Sequence, residues 1–274
     1  MRSFDLARLG RLGLGLGLAA LLSTGAVSAL TIGVIPGAAS DSIEAAAVDA
    51  RAAGMTVEVI EFSDWTIPNV ALASGDLDLN YFQHGPFLQA SIAATGADLV
   101  SVGSGYLPKI GLYSNRHDSL AALPDGATVG VAGDPVNQGR GLQLLQAAGL
   151  IKLAEGKGYL VSIDDITENP KNLRLVEVEG TQLVRALDDL DLVQGLPAQI
   201  VNAGLAEKAG QALVFSDKEV ADFSIQFVTR AEKAEDPEIR QFIEIYHNSA
   251  AAREAIHKAF ASNDKLYSLR WLQD

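Results

Sequence analysis

The chain has 274 residues, 48% of them hydrophobic and 6% aromatic, enough for one or two globular domains with packed cores. A net charge of −13 with no basic stripe excludes a nucleic-acid partner and disfavours contact with anionic membranes. The sequence holds no cysteine, which rules out disulfides and a thiol nucleophile and leads us to expect no lipid anchor on a cysteine. The first residues read as a targeting leader. Arg2, Arg8 and Arg11 form a positive start, and Leu12 to Leu22 is an apolar run too short to span a membrane comfortably. Val27-Ser28-Ala29 then places small residues where a signal peptidase cuts. Cleavage after Ala29 is expected, leaving a protein of net charge −15 free in the periplasm or secreted.

From there the chain alternates short apolar strands with helices. Thr31–Ile35 reads as a strand, followed by a helix from about Asp41 to Ala53 that Gly54 closes. Val57–Phe62 is a second strand, and Pro68–Ala73 a short helix ending at Gly75. Asp76–Phe87 is a strand running into an aromatic turn, with Pro86 opening the next helix. Strands follow at Leu99–Val102 and Ile110–Tyr113, then a polar break from Ser114 to Asp118. Leu173–Val178 reads as strand, Thr181–Leu187 as helix, Leu190–Val193 as strand, Ala198–Ala209 as helix and Ile225–Val228 as strand. The tail from Pro237 to Trp271 has helical spacing of Ile239, Phe242, Ile243 and Tyr246. Such alternation indicates an α/β fold with mostly parallel sheets.

Two stretches carry candidate chemistry. Thr128–Leu145 opens as a buried strand, breaks at Gly133-Asp134-Pro135 and restarts at helical spacing with Leu142, Leu144 and Leu145. Asn137 reads as the N-cap, and Gly139 and Gly141 as residues that keep bulk away from the first turn. A helix start attracts anions, and Arg140 adds a donor fork suited to a carboxylate or phosphate. The alternative is an ordinary surface turn with a solvated Arg140. In the second stretch, Tyr81, Phe82, His84 and Phe87 gather four rings where a strand ends, the place where α/β sheets hold ligands. Rings suit thioethers as well as hydrocarbons, although core packing alone would account for Tyr81 or Phe82. T-V-G-V-A at Thr128 also echoes T-I-G-V-I at Thr31, as two similar lobes facing one cleft would.

No G-x-S-x-G elbow, H-E-x-x-H pair, Walker A loop or Rossmann glycine fingerprint is present. His84, His117, His247 and His257 lack metal-ligand spacing, so neither a metal nor a cofactor is expected.

Taken in order, G-V-I-P-G-A, L-x-x-G-D-L-D-x-N-Y-F-Q-H-x-P-F, G-D-P-V-N-Q-G-R and I-T-E-N-P-K-N-L resemble the methionine-binding protein family of the MetQ/NlpA type. The likeness spans essentially all of the chain after the leader. It implies a two-lobed periplasmic-binding-protein clamp (type II-like), the substrate-binding component of a methionine ABC importer. It also implies that Phe82, His84 and Phe87 wall the side-chain pocket and that Arg140, with Asn137 beside it, holds the α-carboxylate. Family members have Tyr where this chain has Phe87, and Asn on two later segments where this chain has L-V-Q-G-L-P-A-Q and D-F-S-I-Q-F-V-T-R. Gln194, Ser224 or Gln226 stand as substitutes, and a missing partner for a buried ammonium weakens binding or changes the ligand.

The reading is therefore a monomeric binding protein, not an enzyme, that hands a small amino acid, methionine foremost, to a membrane permease driven by a separate ATPase. Lobe 1 is expected to take residues 30–112 and 225–274, and lobe 2 residues 113–224, with a hinge near Gly111 and Ser224. Open alternatives are another amino acid, a dipeptide or a sulfur-containing organic acid in the same clamp. An exported α/β enzyme using His84 near Asp76 or Asp78 as base, or a sensor or adhesin with the same clamp, are the rivals of other classes.

Overall fold

The computed structural model describes residues 29–216 and 220–272, so residues 1–28 of the expected leader lie outside the described residues. Strand β1 (Leu30–Val34) is buried at four of its five positions, which suits a strand covered on both faces. The chain turns at Gly37, whose φ of 108° a side chain would strain, into α1 (Ala38–Ala52). Next come β2 (Val57–Glu61), α2 (Ile67–Ser74), β3 (Leu79–His84), α3 (Gly85–Thr95) and β4 (Leu99–Ser104). Short strands β5 (Tyr106–Pro108) and β6 (Gly111–Tyr113) precede β7 (Thr128–Ala132) and α4 (Pro135–Ala147). A small hairpin, β8 (Lys152–Leu153) with β9 (Ile166–Glu168), leads to β10 (Arg174–Val178), β11 (Leu192–Gly195) and α5 (Pro197–Asn202). The chain ends with β12 (Val214–Phe215), β13 (Ile225–Arg230), α6 (Pro237–Asn248), α7 (Ala250–Ala259) and β14 (Tyr267–Leu269).

These strands form two separate five-stranded sheets, ordered β2-β1-β3-β13-β4 and β10-β7-β11-β6-β12. β1 and β7 each run parallel to both neighbours, while β13 and β6, the strands next to the crossings, are antiparallel to both of theirs. The chain passes between sheets twice, after Pro108 into β6 and again between Phe215 and Ile225. The architecture is thus the two-lobed α/β clamp. One apolar cluster packs α1, α6 and α7 on the first sheet and continues into Tyr113, Val193 and Ile200 of the second. A second cluster, around Val129, Leu142, Leu145 and Leu192, fills the second sheet's far face.

Several expected elements differ in form. The helix expected over Thr181–Leu187 is two tight turns, Gly180–Gln182 and Arg185–Asp188; such short segments favour 3₁₀ geometry. The helix expected over Ala198–Ala209 stops at Asn202, because Gly204 adopts φ 81° and ends it. The helical tail breaks at Ser249, whose hydroxyl caps α7 by accepting the Ala252 N–H, and β14 beyond it pairs with β5.

Candidate functional site

Residue alternation on β3 sorts its rings onto two faces. Tyr81 points into the core: it is fully buried, stacks on Phe227 with centroids 4.3 Å apart, and its hydroxyl lies 2.7 Å from that of Tyr246. Phe82 points the other way, half-buried, and meets Phe87 edge-on at 6.0 Å. Phe87 in turn meets Trp65 edge-on at 6.4 Å. Phe82, Phe87 and Trp65 make the aromatic wall. The structure does not bring Tyr81 to it.

His84 ends β3 and caps α3, its Nδ1 accepting the Phe87 N–H at 3.2 Å. With Nδ1 an acceptor, Nε2 carries the proton and donates to Asn137 Oδ1 at 3.1 Å. Burial, and secondarily the Arg140 charge, pull the His84 pKa down to about 3, so the ring is neutral.

Asn137 and Arg140 come from α4, whose cap is Asp134 rather than the Asn137 that the sequence pattern suggested. The Asp134 side chain accepts the Asn137 N–H at 2.9 Å, Pro135 starts the helix, and Asn137 falls inside the first turn. Asp134 also accepts from Asn137 Nδ2, which aims Oδ1 at His84. Arg140, three residues on, shares that face. It is 8% exposed, donates from Nη2 to the Pro108 carbonyl at 3.0 Å, and lies 4.5 Å from the centre of the Phe223 ring. Burial lowers its pKa to about 10, and among the described residues no carboxylate lies beside it to offset that cost.

The glycines of α4 serve packing rather than an open first turn. A Cβ at Gly139 would lie 2.1 Å from the Tyr159 carbonyl oxygen, and one at Gly141 2.1 Å from Gln194 Oε1. Gln194 fills that space. It accepts the Ala132 N–H at 3.1 Å and donates to the Asn137 carbonyl at 2.8 Å, so it braces α4 against β7 and β11 from behind the site. Gln226 is further off. It accepts from Ser101 Oγ, donates to the Ser224 carbonyl, and lines a different cleft with Ser104 and Asp222.

The residues brought together are Phe82, His84, Phe87, Asn137 and Arg140. With Trp65, Leu196 and Ile225 they enclose a cavity of about 40 Å³ between the two sheets. A neighbouring cavity of about 70 Å³ shares Trp65, Phe82, Pro108, Leu196 and Ile225 as walls and reaches Gln199. Gln199 Oε1 is buried without a hydrogen-bond partner. Sequence reasoning missed Trp65 and Gln199. Trp65 sits in the loop S-D-W-T-I-P, where a lone large aromatic before a helix was the available signal; Gln199 carries none beyond its place after a strand end.

No hydroxyl, thiol or carboxylate side chain lines the cavity at His84, and both of that ring's nitrogens are engaged. The arrangement suits an anion beside an apolar body. Fold and site together have the form of a two-lobed substrate-binding protein.

Relatives agree. The family model described as NlpA lipoprotein matches residues 30–267, and the chain belongs to that family. It is 40% identical to the D-methionine-binding lipoprotein MetQ of Yersinia pestis, over 84% of this chain and 85% of that one. It superposes with a TM-score of 0.81 on a nutrient binding protein from Burkholderia cenocepacia bound to methionine, at 34% identity and covering 88% and 99% of the two chains. An ABC transporter periplasmic substrate-binding protein from Coxiella burnetii gives 0.79 at 35% identity, covering 85% and 97%.

Proposed function

We propose that the protein is the binding component of an ABC importer that captures a small amino acid outside the cytoplasm, methionine foremost, and hands it to a membrane permease driven by a separate ATPase. The observation that carries this is Arg140: a buried guanidinium with no carboxylate partner among the described residues, facing an aromatic-walled cavity between two sheets. A ligand carboxylate supplies the missing charge, and Phe82, Phe87 and Trp65 hold an apolar or thioether side chain. MetQ of Yersinia pestis and the methionine-bound Burkholderia protein support the choice of ligand. Lobe 1 is read as residues 30–110 and 225–274 and lobe 2 as 111–224, since β6 (Gly111–Tyr113) pairs in the second sheet rather than the first, closing about the two crossings near Gly111 and Ser224. The protein is read as a monomer, cleaved after Ala29 and free in the periplasm; the absence of cysteine supports the last point.

A thermal-shift screen of the protein from Leu30 onward, against the common amino acids in both chiralities and simple sulfur compounds, tests this. A cognate ligand at a hundredfold excess over Kd adds about 2.7 kcal/mol, or roughly a 5–10 °C rise in Tm for a chain of this size. No shift with any compound refutes the reading.

A further inference from the structure

The aromatic wall of the ligand cavity is a thin partition. Phe87 and Trp65 line the cavity of about 40 Å³ that also holds Arg140, and the same two rings line a groove of about 530 Å³ on their other side, between α2, α3 and the start of α4. Helical spacing explains the shape of that groove. Phe87, Ala90 and Ala94 follow one another along one face of α3, and Val70 and Ala73 lie across from them on α2, so a single large ring stands where the groove meets the cavity. The space behind the ring is larger than both site cavities together.

His84 stands between Arg140 and Phe87. Its Nε2 donates to Asn137, one turn from Arg140 on α4, and its Nδ1 accepts the Phe87 N–H, with the two rings edge-on at 6.1 Å. Trp65 is pinned from across the cleft by Gly180, at which a Cβ would lie 2.1 Å from its ring. Phe87 has no hydroxyl to anchor it and meets Trp65, Phe82 and His84 edge-on at 6.0–6.4 Å. Asn69, Ser91, Thr95 and Asp134 on the groove's walls already hydrogen-bond within the protein, and Thr66 is exposed. An alkyl chain entering the groove would therefore meet surface that is mostly apolar.

We propose that Phe87 sets the upper limit on the length of the ligand's side chain, holding it near that of methionine, and that the groove between α2 and α3 is the space a longer chain would need. This rests on the reading of Arg140 as the carboxylate clamp. With the carboxylate on Arg140, the side chain passes His84 and stops at the Phe87 ring. A chain longer by two methylenes must displace that ring or draw the carboxylate away from Arg140, and either weakens binding. Removing the ring joins cavity to groove and reverses the order, since each added methylene then buries apolar surface, worth about fourfold in affinity.

Isothermal titration with methionine and with S-alkyl homologues longer by two and four methylenes tests the assignment. The wild type and Phe87→Tyr should bind the longer homologues about tenfold or more weakly than methionine. Phe87→Ala should weaken methionine yet bind the longer homologues about tenfold or more tightly than it binds methionine, a reversal that misfolding cannot produce. Phe87→Leu, a milder truncation, should move the profile the same way by a smaller factor. Adding Ala94→Trp to Phe87→Ala refills the groove from an exposed position and should abolish the reversal. Wild-type affinity that stays level or rises with chain length, or truncated variants whose affinity still falls with it, would overturn the proposal. A reversal that survives Ala94→Trp would overturn the groove's part in it. Any of these failures beside loss of methionine binding in Arg140→Ala leaves the clamp standing and removes only the limit at Phe87. Methionine binding undiminished in Arg140→Ala would overturn the clamp itself.

Discussion

Arg140 gives the sharpest contrast between a residue kept for stability and one kept for a ligand. A guanidinium whose pKa burial pulls down to about 10 is disfavoured as a cation in the fold by about 3 kcal/mol. Methionine has a similar reach and no charge, so Arg140→Met removes that cost. The variant loses the hydrogen bond to the Pro108 carbonyl and the stacking on Phe223, together about 2 kcal/mol. The balance is a gain of about 1 kcal/mol, in line with the general finding that uncompensated buried charge is better replaced by apolar bulk. For a chain of this size that raises the unliganded Tm by about 2–4 °C. The same variant should show no ligand-induced shift, since the carboxylate has lost its partner. Two melting curves, with and without ligand, read both effects. A lower unliganded Tm together with an intact ligand shift would mean that Arg140 is a structural brace and that the clamp reasoning is wrong.

Three further outcomes follow from particular contacts. Burial holds His84 at a pKa of about 3 in the fold against 6.5 when exposed, so below pH 6.5 the unfolded chain takes up a proton that the folded one refuses. Stability should therefore fall by about 1.4 kcal/mol per pH unit from there down to the folded value. His84→Asn keeps an acceptor for the Phe87 N–H but removes this slope, so urea unfolding should show the wild type losing about 2 kcal/mol more than the variant between pH 7 and 5; parallel losses would contradict the buried neutral ring. A Cβ at Gly180, from the second sheet's side, would lie 2.1 Å from the Trp65 ring on the first. Gly180→Ala should prop the cleft open and weaken ligand binding about tenfold with an unliganded stability change below about 1 kcal/mol, as measured by titration and melting; unchanged affinity would show that this contact does not govern closure. Tyr81→Phe removes the 2.7 Å bond to Tyr246 and should cost about 1–2 kcal/mol of stability while leaving ligand affinity alone, and a change in affinity would return Tyr81 to the pocket.

How much of this could be read from sequence depended on how local its cause was. The alternation of strands and helices, the doubled strand–turn–helix opening, the aromatic turn and Arg140 as a candidate anion clamp each follow from periodicity and side-chain type within one stretch, whereas the meeting of that turn with Arg140 is what the family resemblance implies. Where two local signals competed, the pattern chose the wrong one. Asp134 and Asn137 are both good caps, and only the position of Pro135 at the helix start decides for Asp134. Tyr81 and Phe82 are adjacent rings on one strand, and their alternation says that they face opposite ways without saying which faces the cleft. Gln194 stands in the sequence as a substitute for the asparagine that family members carry on that segment. Its amide is instead consumed by Ala132 and Asn137, contacts made across the sheet that no spacing along the chain records. Gln199 was missed for the opposite reason. What marks it is the lack of a partner, and that exists only once the fold has closed around it.

Arg140 also touches both chain crossings, and this bears on how a ligand acts on the clamp. Its Nη2 donates to Pro108, at the end of the first crossing's strand, and its charge rests on Phe223, just ahead of the strand that completes the second. The guanidinium belongs by sequence to α4, yet it is held by the two segments that join the sheets. A guanidinium has five N–H donors, so a ligand carboxylate can take two of them while the Pro108 carbonyl keeps its own. Binding therefore need not release the hinge contact, and it adds a counter-charge at a point that is already fixed. The ties across the cleft differ in kind: His84 to Asn137 and Thr181 Oγ1 to the Ser63 carbonyl are neutral hydrogen bonds, and Trp65 against Gly180 is shape alone. None of these supplies the charge that Arg140 lacks. Closure about an empty site leaves the guanidinium's desolvation uncompensated, whereas closure about a carboxylate compensates it. On the proposed reading, the energetic preference for the closed, loaded form resides at the hinge, in a side chain that both crossings hold.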